Sequence, residues 1–113
     1  MAALHLPARR KHNSQRAQDN RSYPGHRAWV RGHGCCVPGC SNTDIECAHV
    51  RQSNDGGVGL KPSDRYTISL CRTHDAEQHR TGEPAFERRY RIELVTLAER
   101  FATRSPHRWR RKS

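Results

Sequence analysis

A dense group of potential metal ligands lies in residues 70–79, which read Leu70-Cys71-Arg72-Thr73-His74-Asp75-Ala76-Glu77-Gln78-His79. Cys71 and His74 form a Cys-x2-His chelating pair. Asp75 and His79 stand four positions apart, so on a helix they share one face and lie roughly 6 Å apart along its axis. The segment therefore offers two sets of ligands, one suited to zinc and one that includes a hard carboxylate oxygen.

A second group of cysteines, Cys35, Cys36 and Cys40, lies at a turn earlier in the chain. Two chelating pairs on either side of a hairpin are the usual way to assemble a tetrahedral structural zinc site. Either Cys35 or Cys36 could join Cys40, so one of the two is left over, and Cys47 is expected to be a small buried strand residue. Unrelated buried thiols and a disulfide are the alternatives, of which a disulfide is disfavoured in the cytosol.

Alternating apolar residues and turn signals predict a strand, a loop, a second strand and a helix around these ligands. Their expected ranges are 43–50, 51–63, 65–70 and 72 to about 80. The second strand should place Tyr66, Ile68 and Leu70 on one face. Thr73 is the expected N-cap of the helix, and Gly82 should lie near its end.

Helical patterns flank this centre on both sides. Residues 25–31 fit a short helix with Trp29 and Val30 facing the core. Pro84 is placed to begin another helix at its first position. Apolar residues then recur at steps of four, four, three and four: Phe86, Tyr90, Leu94, Leu97 and Phe101. This stripe predicts an amphipathic helix that packs on the core, with a break expected near Arg91 and an end before Pro106.

The composition describes a small, polar and strongly basic chain. It has 113 residues, 33% of them hydrophobic, a mean hydropathy of -1.05 and a formal net charge of +10. This length fits one domain with a modest core, for which a structural metal is a common support. The charge favours nucleic acid as the partner. No apolar run approaches the ~20 residues of a membrane-spanning helix, and the start lacks a secretory signal, so we expect a cytoplasmic protein.

The positive charge is concentrated at the two ends. We interpret residues 1–24 as a disordered basic arm, residues 25–105 as the folded domain and residues 106–113 as a basic tail. The ends could be solvated disorder that keeps the protein soluble, or arms that contact phosphates, and both can hold together.

Three elements of the sequence resemble the HNH endonuclease superfamily, in particular its small phage and prophage members. They are Ala48-His49-Val50, a glycine-rich loop that ends Lys61-Pro62-Ser63-Asp64, and the Leu70–His79 segment quoted above. The match is close over residues 35–82. The resemblance implies an α+β fold with a zinc-bound ββα-metal core, in which a hairpin is followed by a helix, and with flanking helices.

The resemblance also implies the activity, a metal-dependent DNA endonuclease that hydrolyses phosphodiester bonds in a bacterial host cell. His49 would be the general base. Asp64 would brace the hairpin or orient His49 or the metal, while Asp75 and His79 would hold a catalytic Mg²⁺ or Mn²⁺ ion.

Lys61 and Arg72 are expected to contact DNA phosphates. Phage or prophage DNA processing or recombination is the context that the resemblance implies. The remaining histidines are expected to be solvated: His5, His12, His26, His33 and His107. The sequence predicts no particular oligomeric state.

Three departures from the family pattern leave two other functions open. Ala48 stands where many relatives carry a metal-binding Asp or His, Asp75 stands where they often carry His, and the first cysteine pair is wider than Cys-x2-Cys. The first alternative is a non-catalytic zinc module that binds nucleic acid. The second is a zinc-dependent adaptor for a recombination protein.

Overall fold

In a computed structural model that describes residues 21–53, 63–107 and 109, a two-stranded antiparallel sheet lies at the centre of the protein. Strand β1 (Ile45–His49) pairs with strand β2 (Thr67–Cys71), so that Ile45 lies opposite Cys71 and His49 opposite Thr67. Both predicted strands are confirmed, and each begins two residues later than expected. A 3-10 turn (Arg51–Ser53) follows β1.

Several expectations fall on residues that lie outside this description. They concern residues 1–20 of the expected basic arm, residues 54–62 of the loop, and residues 108 and 110–113 of the expected basic tail. Lys61, expected to contact phosphate, is among them.

Four helices surround the sheet in the described part of the chain. They are α1 (Pro24–Arg31), α2 (Arg72–Thr81), α3 (Glu83–Tyr90) and α4 (Leu94–Arg104). Each helix predicted from the sequence is present, and the described protein is a small α+β fold. None of these helices is long and apolar enough to cross a membrane.

The main apolar core covers one face of the sheet. Ile68 and Leu70 of β2 are fully buried there beside Ala48 of β1, and Tyr66 packs against them as predicted. Residues from the turns and from α3 and α4 complete this core: Val37, Val50, Phe86, Leu94 and Ala98. Helix α4 therefore closes the core over the strand that leads into α2.

The opposite face of β2 is polar but equally buried, because α1 packs against both strands. Thr67 and Ser69 are 0% exposed. The Thr67 hydroxyl donates to the backbone carbonyl of Asp64 at 2.9 Å, and the Ser69 hydroxyl donates to that of Gly34 at 2.6 Å. These bonds satisfy the hydroxyls and tie the two flanking turns to the central strand.

Helix α2 begins directly at the end of β2, with no loop between them. The N-cap is Cys71, whose sulfur accepts a hydrogen bond from the backbone N–H of His74 at 3.4 Å. The sequence prediction of Thr73 as the cap is therefore wrong, because the strand runs straight into the helix and starts it at Arg72. The end near Gly82 is confirmed: Gly82 has a φ of 87° and donates its N–H to the Gln78 carbonyl.

The apolar stripe of the C-terminal region lies on two helices, with the break where the sequence predicted it. Helix α3 has Pro84 in its first turn and ends at Tyr90, and Arg91 adopts a left-handed φ of 54°. The Glu87 carboxylate then accepts the backbone N–H of Leu94 at 2.8 Å. This bond satisfies a free N–H of the first turn of α4 and holds the two helices at their junction.

His26 is buried, which corrects the expectation that it would be solvated. Its ring is 0% exposed, and its Nδ1 lies 2.8 Å from the hydroxyl of Ser105. The Trp109 ring packs edge-on against it, at 4.7 Å between centroids. Both neighbours come from the far end of the chain, so the local sequence around His26 carries no sign of this cover. Nε2 is buried without a hydrogen-bond partner in the described structure.

The burial of His26 predicts a loss of stability in mild acid. Burial and the charge of His107 lower the pKa of His26 from 6.5 to about 4, although Asp64 opposes the shift. As the pH falls from 6.5 towards 4 the unfolded chain binds this proton and the folded chain does not, so stability decreases within that window. We expect a loss of about 2 kcal/mol between pH 7 and pH 5, measured by urea unfolding.

The matched control is His26→Gln, which keeps a polar side chain for Ser105 but does not titrate. Acid would also protonate the cysteines of the expected zinc site, and it would do so equally in both proteins. The difference between the two pH profiles therefore isolates His26. Parallel profiles would show that His26 is not the group that responds.

Candidate functional site

Four side chains from three separate segments converge at one end of the sheet. Cys35 and Cys40 lie in the turn between α1 and β1, Cys71 ends β2, and His74 lies in the first turn of α2. The turn is held in place because the Cys36 backbone N–H donates to the Ser69 carbonyl of β2 at 2.9 Å. Within the described residues, these four form the cluster of Cys and His whose ligand atoms all lie within 4.8 Å of one another.

The spacing of the four ligand atoms fits a tetrahedral zinc ion. With zinc–sulfur bonds of about 2.3 Å, the sulfur atoms of such a site are expected about 3.8 Å apart. The Cys40 and Cys71 sulfurs are 3.9 Å apart, and His74 Nδ1 lies 3.5 Å from the Cys35 sulfur and 3.1 Å from that of Cys71. Three thiolates and one imidazole are a common donor set for structural zinc.

Cys71 is prepared to act as a thiolate. Burial by itself would raise the pKa of the Cys71 thiol, but hydrogen bonds from the Asn42 amide, the His74 backbone N–H and the neighbouring thiols lower it to about 7. Since the thiolate is the form that binds metal, this residue offers a ready ligand at neutral pH.

The structure selects Cys35 over Cys36 as the partner of Cys40. The Cys36 sulfur points away from the cluster and lies 3.6 Å from the Ser69 hydroxyl. Burial raises the pKa of the Cys36 thiol and that of Cys47 on β1, but it also raises the pKa of the Cys35 thiol, to about 11. The position of the sulfur atoms, not the pKa, therefore makes Cys36 the spare member of the first group.

A second group of polar residues is centred on His49, the last residue of β1. His49 Nε2 lies 2.8 Å from Asp64 Oδ1. Burial would raise the pKa of Asp64, but hydrogen bonds from His49 and from the Tyr23 backbone N–H, with the charge of Arg27, lower it below its usual value. Because an ionised carboxylate can only accept, Nε2 carries the proton and Nδ1 is left as the basic nitrogen of the ring.

Asp64 itself is held from three sides. Its Oδ2 accepts the Tyr23 backbone N–H at 2.7 Å and the Arg27 guanidinium at 2.9 Å, and its own N–H donates to the Arg21 carbonyl at 2.9 Å. Asp64 is buried, with 4% of its surface exposed. The segment at the start of α1 thus fixes the orientation of the His49 ring through Asp64.

Asp75 and His79 lie on one face of α2, as their spacing predicts. Asp75 Oδ1 is 3.4 Å from His79 Nε2, and this buried oxygen accepts no hydrogen bond from any residue that the structure describes. Burial raises the pKa of Asp75, although the charges of His79 and His49 oppose the rise. A buried carboxylate oxygen that lacks a donor and faces an imidazole is a suitable ligand for a divalent cation.

His49 and His79 line the same pocket, with a volume of about 120 Å³. Its other lining residues are Arg51, Gln78, Gly82 and Glu83. The Gln78 amide donates to the His49 carbonyl at 3.4 Å, which joins α2 to the end of β1. Asp75 does not line the pocket itself and adjoins it through His79. The structure therefore brings His49, Asp64, Asp75 and His79 together.

The remaining residue expected to bind DNA, Arg72, is exposed and pairs with Glu46 at 3.7 Å between Arg72 Nε and Glu46 Oε2. Ala48 is 1% exposed and faces the apolar core, on the opposite side of β1 from His49. A side chain at position 48 of this strand therefore does not reach the His49 pocket.

Sequence reasoning missed Tyr23, Arg27 and Glu83. The first two hold Asp64, and the Glu83 carboxylate accepts the backbone N–H groups of Arg51 and Gln52 at 2.7 and 3.1 Å. Arg27 is one of several basic residues near the start of the chain, and nothing in the sequence distinguishes it from the others. Tyr23 acts through its backbone N–H, which every residue except proline has. Their roles depend on contacts that the chain makes only after folding.

Comparison with known proteins identifies a family without assigning an activity. A family model described as "Protein of unknown function (DUF968)" matches residues 6–105. The chain is similar to the "Uncharacterized protein YdfU" of Escherichia coli (strain K12), with 33% identity over 69 residues, or 61% of this chain and 19% of that protein. The chain thus spans about a fifth of the length of this curated relative. No solved structure gives a significant match.

The cluster geometry predicts opposite effects for two adjacent cysteines. Cys35→Ser removes a ligand and should lose zinc and folded structure, because a structural zinc contributes on the order of 10 kcal/mol to small metal domains. Cys36→Ser should keep both. Zinc content per chain and circular dichroism of the two purified proteins provide the measurement, and retained zinc in Cys35→Ser with loss in Cys36→Ser would reverse the assignment.

Proposed function

Since the chain belongs to the DUF968 family, whose description names no activity, we propose from its own site that it is a metal-dependent DNA endonuclease of the HNH type. The observation that carries this proposal is the arrangement of His49. Its ring is held by the buried Asp64, and it lines one pocket with His79, which adjoins the buried oxygen of Asp75 that accepts no hydrogen bond from the described residues.

The order of the elements supports an HNH core. Strands β1 and β2 form a hairpin that leads directly into α2, as in the ββα-metal arrangement that the sequence resembles. His49 ends the first strand, and the Cys35–Cys40–Cys71–His74 cluster lies at the other end of the sheet. Zinc in that cluster would hold the hairpin and helix together, separate from the pocket where hydrolysis takes place.

In the proposed reaction, His49 Nδ1 takes a proton from a water molecule, which attacks the scissile phosphate in line. The ionised Asp64 keeps the ring in this tautomer and stabilises the imidazolium that forms. Asp75 and His79 are the residues that would hold Mg²⁺ or Mn²⁺. When bound there, the cation supplies charge stabilisation for the phosphate and the leaving 3′ oxygen.

Phage or prophage DNA processing or recombination is the proposed context, in line with the family resemblance. A non-catalytic zinc module that binds nucleic acid is the second candidate. The position of Ala48 favours it, because the residue before His49 faces the core and adds no ligand to the pocket. Without a ligand at position 48, Asp75 and His79 are the only two protein ligands proposed for the catalytic cation.

The test of catalysis is nicking of supercoiled plasmid by zinc-loaded protein with Mg²⁺ or Mn²⁺. His49→Ala should reduce the rate by about 10²- to 10⁴-fold, the usual contribution of a general base. Asp64→Asn, which retains the shape but not the charge, should reduce it by about 10- to 100-fold. His33→Ala is the matched control, because His33 is exposed and its ring nitrogen bonds the Trp29 carbonyl of α1. Equal rates for His49→Ala and His33→Ala would contradict the proposal.

A separate test distinguishes the two proposed metal sites. Asp75→Asn should retain zinc and the folded circular dichroism signal, because Asp75 lies outside the zinc cluster, but it should weaken Mn²⁺ binding and abolish nicking. Mn²⁺ binding is measured directly by electron paramagnetic resonance. Loss of folded structure equal to that of Cys71→Ser would show that Asp75 belongs to the structural core instead.

A further inference from the structure

The two ends of the described chain meet at one place on the protein. The rings of Tyr23 and Trp109 pack edge to face at 4.7 Å between centroids, and the Trp109 indole N–H donates to the Ala102 carbonyl at 3.2 Å. The His107 ring lies so close to Gly25 that any Cβ there would clash with it. We name this junction of the segment before α1 with the segment after α4 the Tyr23–Trp109 corner.

The Tyr23–Trp109 corner adjoins the His49 site. The backbone N–H of Tyr23 donates to Asp64, and the other oxygen of Asp64 binds His49. Two hydrogen bonds therefore separate the corner from the ring proposed to act as the base.

The exposed charge next to the Trp109 ring is positive. Arg65 is exposed, and its guanidinium lies 5.4 Å from the centroid of the Trp109 ring. The carboxylate next to it, Asp64, is buried and already paired with Arg27 and His49. Arg65 therefore has no carboxylate partner among the ion pairs of the described residues, and its charge is available to a ligand.

The sequence segments that flank Tyr23 and Trp109 are strongly basic. Residues 1–21 and 108–113 together carry nine Lys and Arg against one acid, which is +8 of the formal net charge of +10. A duplex with one negative charge per ~1.7 Å of its axis attracts a chain with this excess of cations.

We propose that the Tyr23–Trp109 corner is the surface on which the DNA phosphate backbone binds, with Arg65 contacting a phosphate and the Trp109 ring holding the Arg65 guanidinium in place. The inference rests on the proposed function for the identity of the polyanion as DNA. Arginine suits this role because its planar guanidinium binds phosphate oxygens in pairs.

The experiment measures binding of the zinc-loaded full chain to a short fluorescent DNA duplex by anisotropy, without Mg²⁺, over a series of salt concentrations. Arg65→Ala should weaken binding by about 10-fold and lower the slope of log K against log salt by about one, as expected for one lost phosphate contact. Trp109→Ala should weaken binding although it removes no charge, and Trp109→Phe should restore most of it.

Arg100→Ala is the matched control for charge. Arg100 is exposed on α4, on the face opposite the buried Ala98 and Ala102, and its loss should leave affinity and salt slope unchanged. Equal weakening by Arg65→Ala and Arg100→Ala, or wild-type affinity in Trp109→Ala, would overturn the assignment of the corner.

Hydrolysis of bis(p-nitrophenyl) phosphate with Mn²⁺ separates this inference from the proposed function, because so small a phosphodiester does not need the corner. The Arg65 and Trp109 variants should hydrolyse this substrate at the wild-type rate, whereas His49→Ala should hydrolyse it more slowly. If His49→Ala abolishes cutting while the corner variants bind duplex normally, the endonuclease proposal stands and the corner proposal fails. If the corner variants bind weakly and no variant or wild type cuts, the corner stands and the endonuclease proposal fails.

Discussion

The sulfur of Cys71 joins the three segments on which this small fold depends. Cys71 ends the central strand, and its sulfur caps the helix that follows. The same sulfur lies 3.9 Å from the sulfur of Cys40, in the turn between α1 and β1, and 3.1 Å from His74 Nδ1. In a chain with only 33% hydrophobic residues, burial of apolar surface contributes modestly, so a zinc ion shared by turn, strand and helix would replace much of the missing core. Because β2 passes into α2 without a loop, the backbone at Cys71 also sets the start of the helix that carries Asp75 and His79.

Asp64 has the corresponding role on the polar side of the sheet. A buried carboxylate is costly unless its oxygens are paired, and each oxygen of Asp64 has a donor. These donors come from the start of α1 and from the end of β1. The same bonds that stabilise the charge therefore position the His49 ring and attach the start of the described chain to the site. In this way the fold supports the geometry that the proposed reaction needs.

The two groups of ligands differ in a way that suits different ions. The Cys35–Cys40–Cys71–His74 cluster supplies four sulfur and nitrogen ligands, the full number for tetrahedral zinc, whereas Asp75 and His79 adjoin a pocket that has room for a further ligand. The first arrangement favours a structural ion. The second favours an exchangeable cation that shares its coordination with a substrate, which is why the endonuclease proposal places hydrolysis there.

The sequence by itself determined what depends on short spacings: both strands, the helices, the break at Arg91, the Cys71–His74 pair and the common face of Asp75 and His79. These features follow from local backbone geometry and apolar periodicity. Only the tertiary structure chose Cys35 over Cys36, buried His26, supplied Tyr23 and Arg27 to Asp64 and brought Trp109 back to Tyr23. Each of these contacts joins residues more than thirty positions apart. Their partners are selected by how the helices pack on the sheet, and no local pattern records that choice.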